Sequence, residues 1–179
     1  MNIPFSPPYI DDDVLSEVQD SLNSGWITTG PKVKELENLT AKIAEVPYAL
    51  GVNSATSGLM LALHWYGISR GDEVIIPAYT YTATALAVMH IGAQPVMVDC
   101  GDHFNLDVSR IAEKITSKTK AILPVDIGGW PCDYKAILNL VESPEIKSKF
   151  QPRGEQQEKL GRILILSDAA HSIGANYKG

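Results

Sequence analysis

The stretch GDEVIIPAYTYTATALAVMHIGAQPVMVD, residues 71–99, decides the fold. It opens on an apolar run, Glu73–Ile76, passes through a turn of small residues and tyrosines, continues as the helix-length segment Thr82–His90, and closes on a second apolar run, Gln94–Val98. Short β-branched runs of this kind are strands covered on both faces, and a helical segment between two of them is the alternation of a parallel sheet. The rhythm continues outward. Tyr48–Val52, Ala121–Val125 and Arg162–Ser167 read as further strands, with helices at Thr56–Tyr66, Val108–Ile115 and Tyr134–Val141. The pattern predicts an α/β fold, a mostly parallel sheet sandwiched by helices, in which ligands bind beyond the carboxyl ends of the strands.

Two helices are expected before the sheet. Asp11, Asp12 and Asp13 precede the stripe Val14, Leu15, Val18 and Leu22, which places a helix at about Asp12–Asn23, stopped by Gly25. Pro31, at the position where a helix tolerates proline best, opens a second over Val33, Leu36, Leu39 and Ile43, ending near Pro47. One segment breaks the rhythm. Residues 142–161, ESPEIKSKFQPRGEQQEKLG, are polar, carry both signs of charge and two prolines, and read as a solvated surface excursion.

Composition excludes several classes. With 15 Lys plus Arg against 21 Asp plus Glu the net charge is -6, and basic residues never adjoin one another, so nothing here suits a nucleic-acid backbone. No segment approaches the ~18 consecutive apolar residues of a membrane span, and the amino terminus has no secretory pattern, so a cytoplasmic chain without a membrane partner is expected. At 179 residues one domain can bury its own core without staples. Cys100 and Cys132 lack the spacing of a metal knuckle or a redox pair and read as reduced bystander thiols, with no metal site.

Three strand ends could carry chemistry. In Gly51–Gly58 (GVNSATSG) small hydroxyl residues lead into an apolar helix, whose free amides and dipole suit a phosphate; an ordinary serine cap explains the same residues. In Pro77–Thr84 (PAYTYTAT) an aromatic just past a strand can lie against a planar heterocycle, or simply pack in the core. In Arg162–His171 (RILILSDAAH) Asp168 ends an apolar run, where a carboxylate is costly unless a cationic or hydrogen-bonding group meets it. A protonated pyridine nitrogen would serve, and so would a turn that Asp168 caps; His171 could add a second polar contact.

The ordered blocks GWITTGPKVKELE, GVNSATSGLMLAL, residues 71–99, FNLD, KAILPVDIGGWPCDY and SDAAHSIGANYKG resemble the DegT/DnrJ/EryC1/StrS sugar aminotransferases, which are pyridoxal-phosphate (PLP) enzymes of fold type I. The resemblance implies that residues 1–179 form the amino-terminal part of the PLP-binding large domain. It implies that Ala55, Thr56 and Ser57 cradle the cofactor phosphate, that Tyr81 stacks on the pyridine ring, that Asp168 pairs with the pyridine nitrogen, and that His171 lies near the phenolic oxygen. The Trp26–Gly30 loop matches a segment close to the family's site. The implied reaction is a ping-pong transfer of an amino group, typically from glutamate, to a keto sugar linked to a nucleotide, in a homodimer or other homo-oligomer.

The sequence departs from that pattern. The family's Schiff-base lysine lies downstream of the DAAH block, beyond Gly179, and Lys178 belongs to the YKG turn rather than to that position. The expectation is therefore a truncated large domain, a fragment with no catalytic lysine, weak or absent PLP binding, and no activity unless a second half complements it. Leu86 stands where many relatives carry Asn, and 142–161 looks like an insertion. Two alternatives remain open: half of a PLP-dependent sugar dehydratase, or a non-catalytic partner of an intact homologue. A generic nucleotide-binding module is disfavoured by the absence of a glycine fingerprint.

Overall fold

The computed structural model describes residues 7–177, so Lys178 lies outside the described residues. The chain divides into two compact units, Met1–Gly51 and Val52–Gly179.

The first unit holds the two expected helices, α1 (Asp12–Asn23) and α2 (Pro31–Ile43). Asp11 caps α1 by accepting from the Val14 amide at 3.0 Å, and Asp12 and Asp13 complement the positive end of the helix dipole. A Lys32–Glu17 ion pair joins the helices. The apolar stripe of α1 is not covered within this unit: no residue of either helix is buried, and Leu22 is 64% exposed. The second helix ends earlier than expected, at Ile43, because Glu45 takes a positive φ of 52° that helical geometry cannot continue.

The second unit is the parallel sheet. Its elements are α3 (Ala55–Trp65), β1 (Glu73–Pro77), α4 (Thr82–His90), β2 (Gln94–Val98), β3 (Thr119–Ile122), α5 (Tyr134–Glu142), α6 (Pro144–Lys149), α7 (Glu155–Leu160) and β4 (Leu164–Ile165). The strand order is β2-β1-β3-β4, every pair parallel, with Ile75 opposite both Val96 and Ile122, and Ala121 opposite Leu164. Alternation sorts the side chains to two cores. Val74, Ile76, Ala121 and Leu123 meet Leu59, Leu63, Ala87 and Val88 of α3 and α4 on one face. Ile75 and Ile122 meet Leu106, Ile111, Ile137 and Val141 on the other. Central strands buried on both faces account for the unbroken apolar runs.

This order creates a switch point. The chain leaves β1 to one side across the face that α4 covers, then returns past β1 to β3 across the opposite face, so the two connections diverge at the carboxyl ends of β1 and β3. A crevice at such a point is where open α/β sheets bind ligands.

Several expectations are corrected. Tyr48–Val52 is not a strand: an isolated extended segment needs a ladder partner, and none of the described strands offers one. Val108–Ile115 forms two 3-10 turns instead of a helix, because Asp107 takes the Ser109 amide and hydroxyl at 3.0 and 2.6 Å and tightens the first turn. The third strand is shifted back to Thr119–Ile122 from the expected Ala121–Val125, and the fourth shortens to Leu164–Ile165, beyond which Val125 and Asp168 form a separate parallel bridge.

Residues 142–161 are mostly exposed, as expected of a surface excursion, but they are structured and anchored to the sheet. They form α6 and α7, with Ser143 and Pro144 starting α6 and Gly161, at φ 67°, ending α7. Ile146 and Phe150 enter the second core, and buried Gln157 donates to Tyr66 O at 3.1 Å while accepting from the Arg153 amide at 3.0 Å. Arg153 reaches buried Asp72 at 2.8 Å, and the buried Lys120 ammonium donates to Gln151 O at 2.7 Å. These contacts gather at the amino ends of the strands, the edge opposite the switch point. Widely spaced apolar and amide anchors in a polar segment leave no periodicity to read.

Candidate cofactor site

Each candidate residue sits where a strand ends or a helix begins. Ala55, Thr56 and Ser57 form the first turn of α3, where backbone amides have no intrahelical acceptor. Ser54 caps that turn: its Oγ accepts from the Ser57 amide at 3.1 Å and pairs with Ser57 Oγ at 2.9 Å. The serine cap and the anion cradle are thus the same structure, since the cap takes the Ser57 amide and leaves those of Ala55 and Thr56 free of helical bonds.

Tyr81 is the N-cap residue of α4 and lies beyond β1, 80% exposed as a residue. It does not pack in the core, which removes one of the two readings the sequence left open. Asp168 follows β4 and is half-buried. Its amide donates to Pro124 O at 2.9 Å and its carbonyl accepts from the Asp126 amide at 3.1 Å, so the end of β4 is tied to the end of β3. Oδ2 accepts from Thr84 Oγ1 and Oδ1 from the Ala170 amide, both at the long distance of 3.3 Å. The carboxylate is therefore oriented without being saturated. Thr84, buried in α4, also pairs with Thr80 Oγ1 at 2.9 Å, and so links Asp168 to the helix that Tyr81 begins.

His171 is exposed, and its Nδ1 accepts from the Gly128 amide at 3.3 Å. The fit there requires glycine: at Gly129, with φ +80°, a Cβ would lie 2.8 Å from His171 O. Among the described residues no hydrogen bond joins the α3 turn to Asp168, Tyr81 or His171. The Trp26–Gly30 loop belongs to the first unit, where Trp26 Nε1 donates to Thr29 O at 3.0 Å.

The sequence reading missed Thr84, Asp126, Gly129 and Ser172. Asp126 is the most consequential: it is only 4% exposed and accepts from the Cys132 amide at 2.9 Å, Tyr134 Oη at 2.6 Å and Ser172 Oγ at 2.7 Å. Burial pushes the Tyr134 phenol far above its usual range, with the bond to Asp126 adding to the shift. Burial first, and Asp126 second, push the Cys132 thiol up to about 12, so it is a packed donor and not a nucleophile. Both cysteines are free. Asp126 ends an apolar run as Asp168 does, and that placement was the available signal.

The residues present fit PLP. A helix amino terminus suits its phosphate, an exposed aromatic its ring, and an unsaturated carboxylate at a strand end its protonated nitrogen. The fold is that of the large domain of fold type I PLP aminotransferases, of whose chains this one covers less than half. The chain belongs to the DegT/DnrJ/EryC1/StrS aminotransferase family, whose sequence pattern matches residues 8–148. It is 36% identical to the spore coat polysaccharide biosynthesis protein SpsC of Bacillus subtilis (strain 168) over 98% of its own length and 41% of that protein's. It superposes with a TM-score of 0.96 and 46% identity on the PLP form of a candidate sugar aminotransferase, Spr1654, from Streptococcus pneumoniae, covering 100% of this chain and 45% of that one. A GDP-4-keto-6-deoxymannose-3-dehydratase with a trapped PLP-glutamate geminal diamine is 26% identical, with a TM-score of 0.83, over 99% of this chain and 44% of that one. The chain thus spans less than half the length of these relatives. No helix among the described residues is long and apolar enough to cross a membrane, and no cluster of three or more His, Cys, Asp or Glu is placed to hold a metal.

Proposed function

We propose that residues 1–179 contribute the cofactor-binding part of a large domain to a PLP-dependent enzyme that moves an amino group from an amino acid, glutamate by family analogy, to a nucleotide-linked keto sugar. The observation that carries this reading is the Thr84 link, at 3.3 Å to Asp168 Oδ2, from the carboxylate to the helix that Tyr81 begins. PLP supplies an electron sink for the carbanion formed in amino transfer. The α3 turn would hold its phosphate through the Ala55 and Thr56 amides and the Ser57 hydroxyl. Tyr81 would cover a face of the ring and exclude water from it. Asp168 would keep a proton on the ring nitrogen, because a carboxylate beside an N–H favours the charged form of its partner. His171 would face the edge of the ring from the neighbouring loop.

Proton transfer at the reacting carbon needs a base, and in this reading a lysine on a complementing segment supplies it. In this reading the site is complete only with such a second half, in a cytoplasmic complex that could itself pair with further copies. The test is glutamate-dependent amination of a nucleotide-linked keto sugar by this chain together with a lysine-bearing carboxy-terminal half of a relative, alongside PLP absorbance. Wild type with that half should bind PLP, and Asp168→Asn should lose the cofactor's long-wavelength band. No PLP binding with the half present would overturn the reading. The dehydratase relative makes sugar dehydration a second outcome, recognised by loss of water from the sugar without gain of nitrogen.

A further inference from the structure

We propose that Asp126 is a positioning residue, the buried carboxylate that fixes the loop carrying Asp168 and His171 against the loop that follows β3. The inference rests on the cofactor reading for what those two residues do, but not for how they are held.

A carboxylate at 4% exposure is costly unless donors surround it, and no ion pair involves Asp126 among the described residues. Three donors meet it instead. Oδ1 takes the Cys132 amide and the Tyr134 hydroxyl from its own side, and Oδ2 takes the Ser172 hydroxyl from the other loop. The phenol has one proton and gives it to Asp126, so its oxygen accepts from Ser167 Oγ. Asp168 and His171 are thereby enclosed: Ser167, before them, is held by Tyr134, and Ser172, after them, by Asp126. The backbone closes the same junction through the Asp126 amide, donated to Asp168 O at 3.1 Å. The Gly128 amide, two residues from Asp126, meets His171 Nδ1 and selects the tautomer that carries its proton on Nε2. An apolar residue of similar size would leave the Cys132 amide and the Ser172 hydroxyl without this acceptor and leave Tyr134 Oη only Ser167 Oγ to donate to, whereas a carboxylate has lone pairs for all three donors.

The experiment compares Asp126→Ala, Asp126→Asn and Ser172→Ala in the full chain. It measures hydrogen exchange over residues 167–175, the His171 tautomer from its ring nitrogen shifts, and PLP absorbance with a lysine-bearing second half. Asp126→Ala should speed exchange in that segment by about tenfold or more and mix the His171 tautomers. Asp126→Asn should restore both, since its amide oxygen accepts from Cys132 and Tyr134 while its NH2 donates to Ser172 Oγ. Ser172→Ala, which disturbs one contact only, should reproduce the loosening if Asp126→Ala does not fold. Ile146→Ala, in the core at the opposite edge, serves as a control for lost stability and should leave the His171 signals unchanged.

Unchanged exchange and an unchanged His171 tautomer in both Asp126→Ala and Ser172→Ala overturn the proposal, as does the same tautomer change in Ile146→Ala. If the segment loosens as stated but neither wild type nor any variant binds PLP, the positioning role stands and the cofactor reading fails.

Discussion

Replacing Lys120 by Met tests whether residues 142–161 are clamped to the sheet as the structure shows. The side chain is 1% exposed; its Nζ donates to Ser117 O at 2.6 Å and Gln151 O at 2.7 Å, and lies 5.5 Å from the Phe150 ring centroid. Hydrogen bonds from a charged donor contribute about 1.5–3 kcal/mol each, so the substitution forfeits about 3–6 kcal/mol. Removing a buried ammonium recovers several kcal/mol of desolvation, and the thioether keeps the length and the ring contact. The net expectation is a loss of about 1–2 kcal/mol at neutral pH, read as a lower urea midpoint by far-UV circular dichroism.

The pH dependence has a definite sign. Burial lowers the Lys120 pKa below its ordinary 10.5, with Arg153 adding to the shift and Asp72 and Glu73 opposing it. Between the folded and unfolded values the unfolded chain binds more protons, so stability rises with pH in that window. The burial cost is fully present below the folded value and is relieved as pH climbs towards 10.5. Met has no proton to lose, so the gap between wild type and variant should widen on going alkaline. A variant as stable as wild type at neutral pH, or a gap that stays constant with pH, refutes the reasoning.

Three further outcomes follow from the site. Gly129→Ala puts a side chain at φ +80° with its Cβ 2.8 Å from His171 O; it should cost about 1–3 kcal/mol in urea denaturation and displace the His171 ring resonances. Ser54→Ala removes the cap of α3 and should cost about 1 kcal/mol, whereas Ser54→Gly should cost only a few tenths, a ranking that thermal unfolding can check. Thiol titration of the native chain should modify half-buried Cys100 well before Cys132, which burial holds at about 12, and unfolding in denaturant should equalise the two.

Local signals carried much of this molecule. The β1–α4–β2 unit appears within a residue of where residues 71–99 placed it, because the doubly covered central strand β1 must be apolar throughout and the helix-length segment between two apolar runs can only cross over the sheet. Both amino-terminal helices were legible from an acidic first turn and a proline at the first helical position. Tyr48–Val52 shows the limit: its residues favour a strand, but a strand needs a partner, and partnership is not a property of the segment. The α6–α7 segment fails in the opposite direction. Its polar residues spend their donors and acceptors on Tyr66 O, Asp72 and the Lys120 ammonium, far away in sequence, and that pairing makes the burial of Gln157, Asp72 and Lys120 tolerable.

The candidate site divides along the same line. Ala55, Thr56, Ser57, Tyr81, Asp168 and His171 were nameable because each follows a strand or opens a helix, and the carboxyl ends of parallel strands lie together. The residues that join them were not. Thr84 reads as one more small residue in an alanine-rich helix, and Asp126 as one more turn carboxylate. Only the order β2-β1-β3-β4 brings the turns after β1, β3 and β4 side by side, so that Thr84 can reach Asp168 and Asp126 can reach Ser172. The alternation of elements and the chemistry at their ends were legible along the chain, since hydrophobic period and capping act over a few residues. Which ends meet, and which buried polar group finds its donors, was decided by the tertiary structure, because hydrogen bonds between segments 46 or 84 residues apart exist only after the strands have paired.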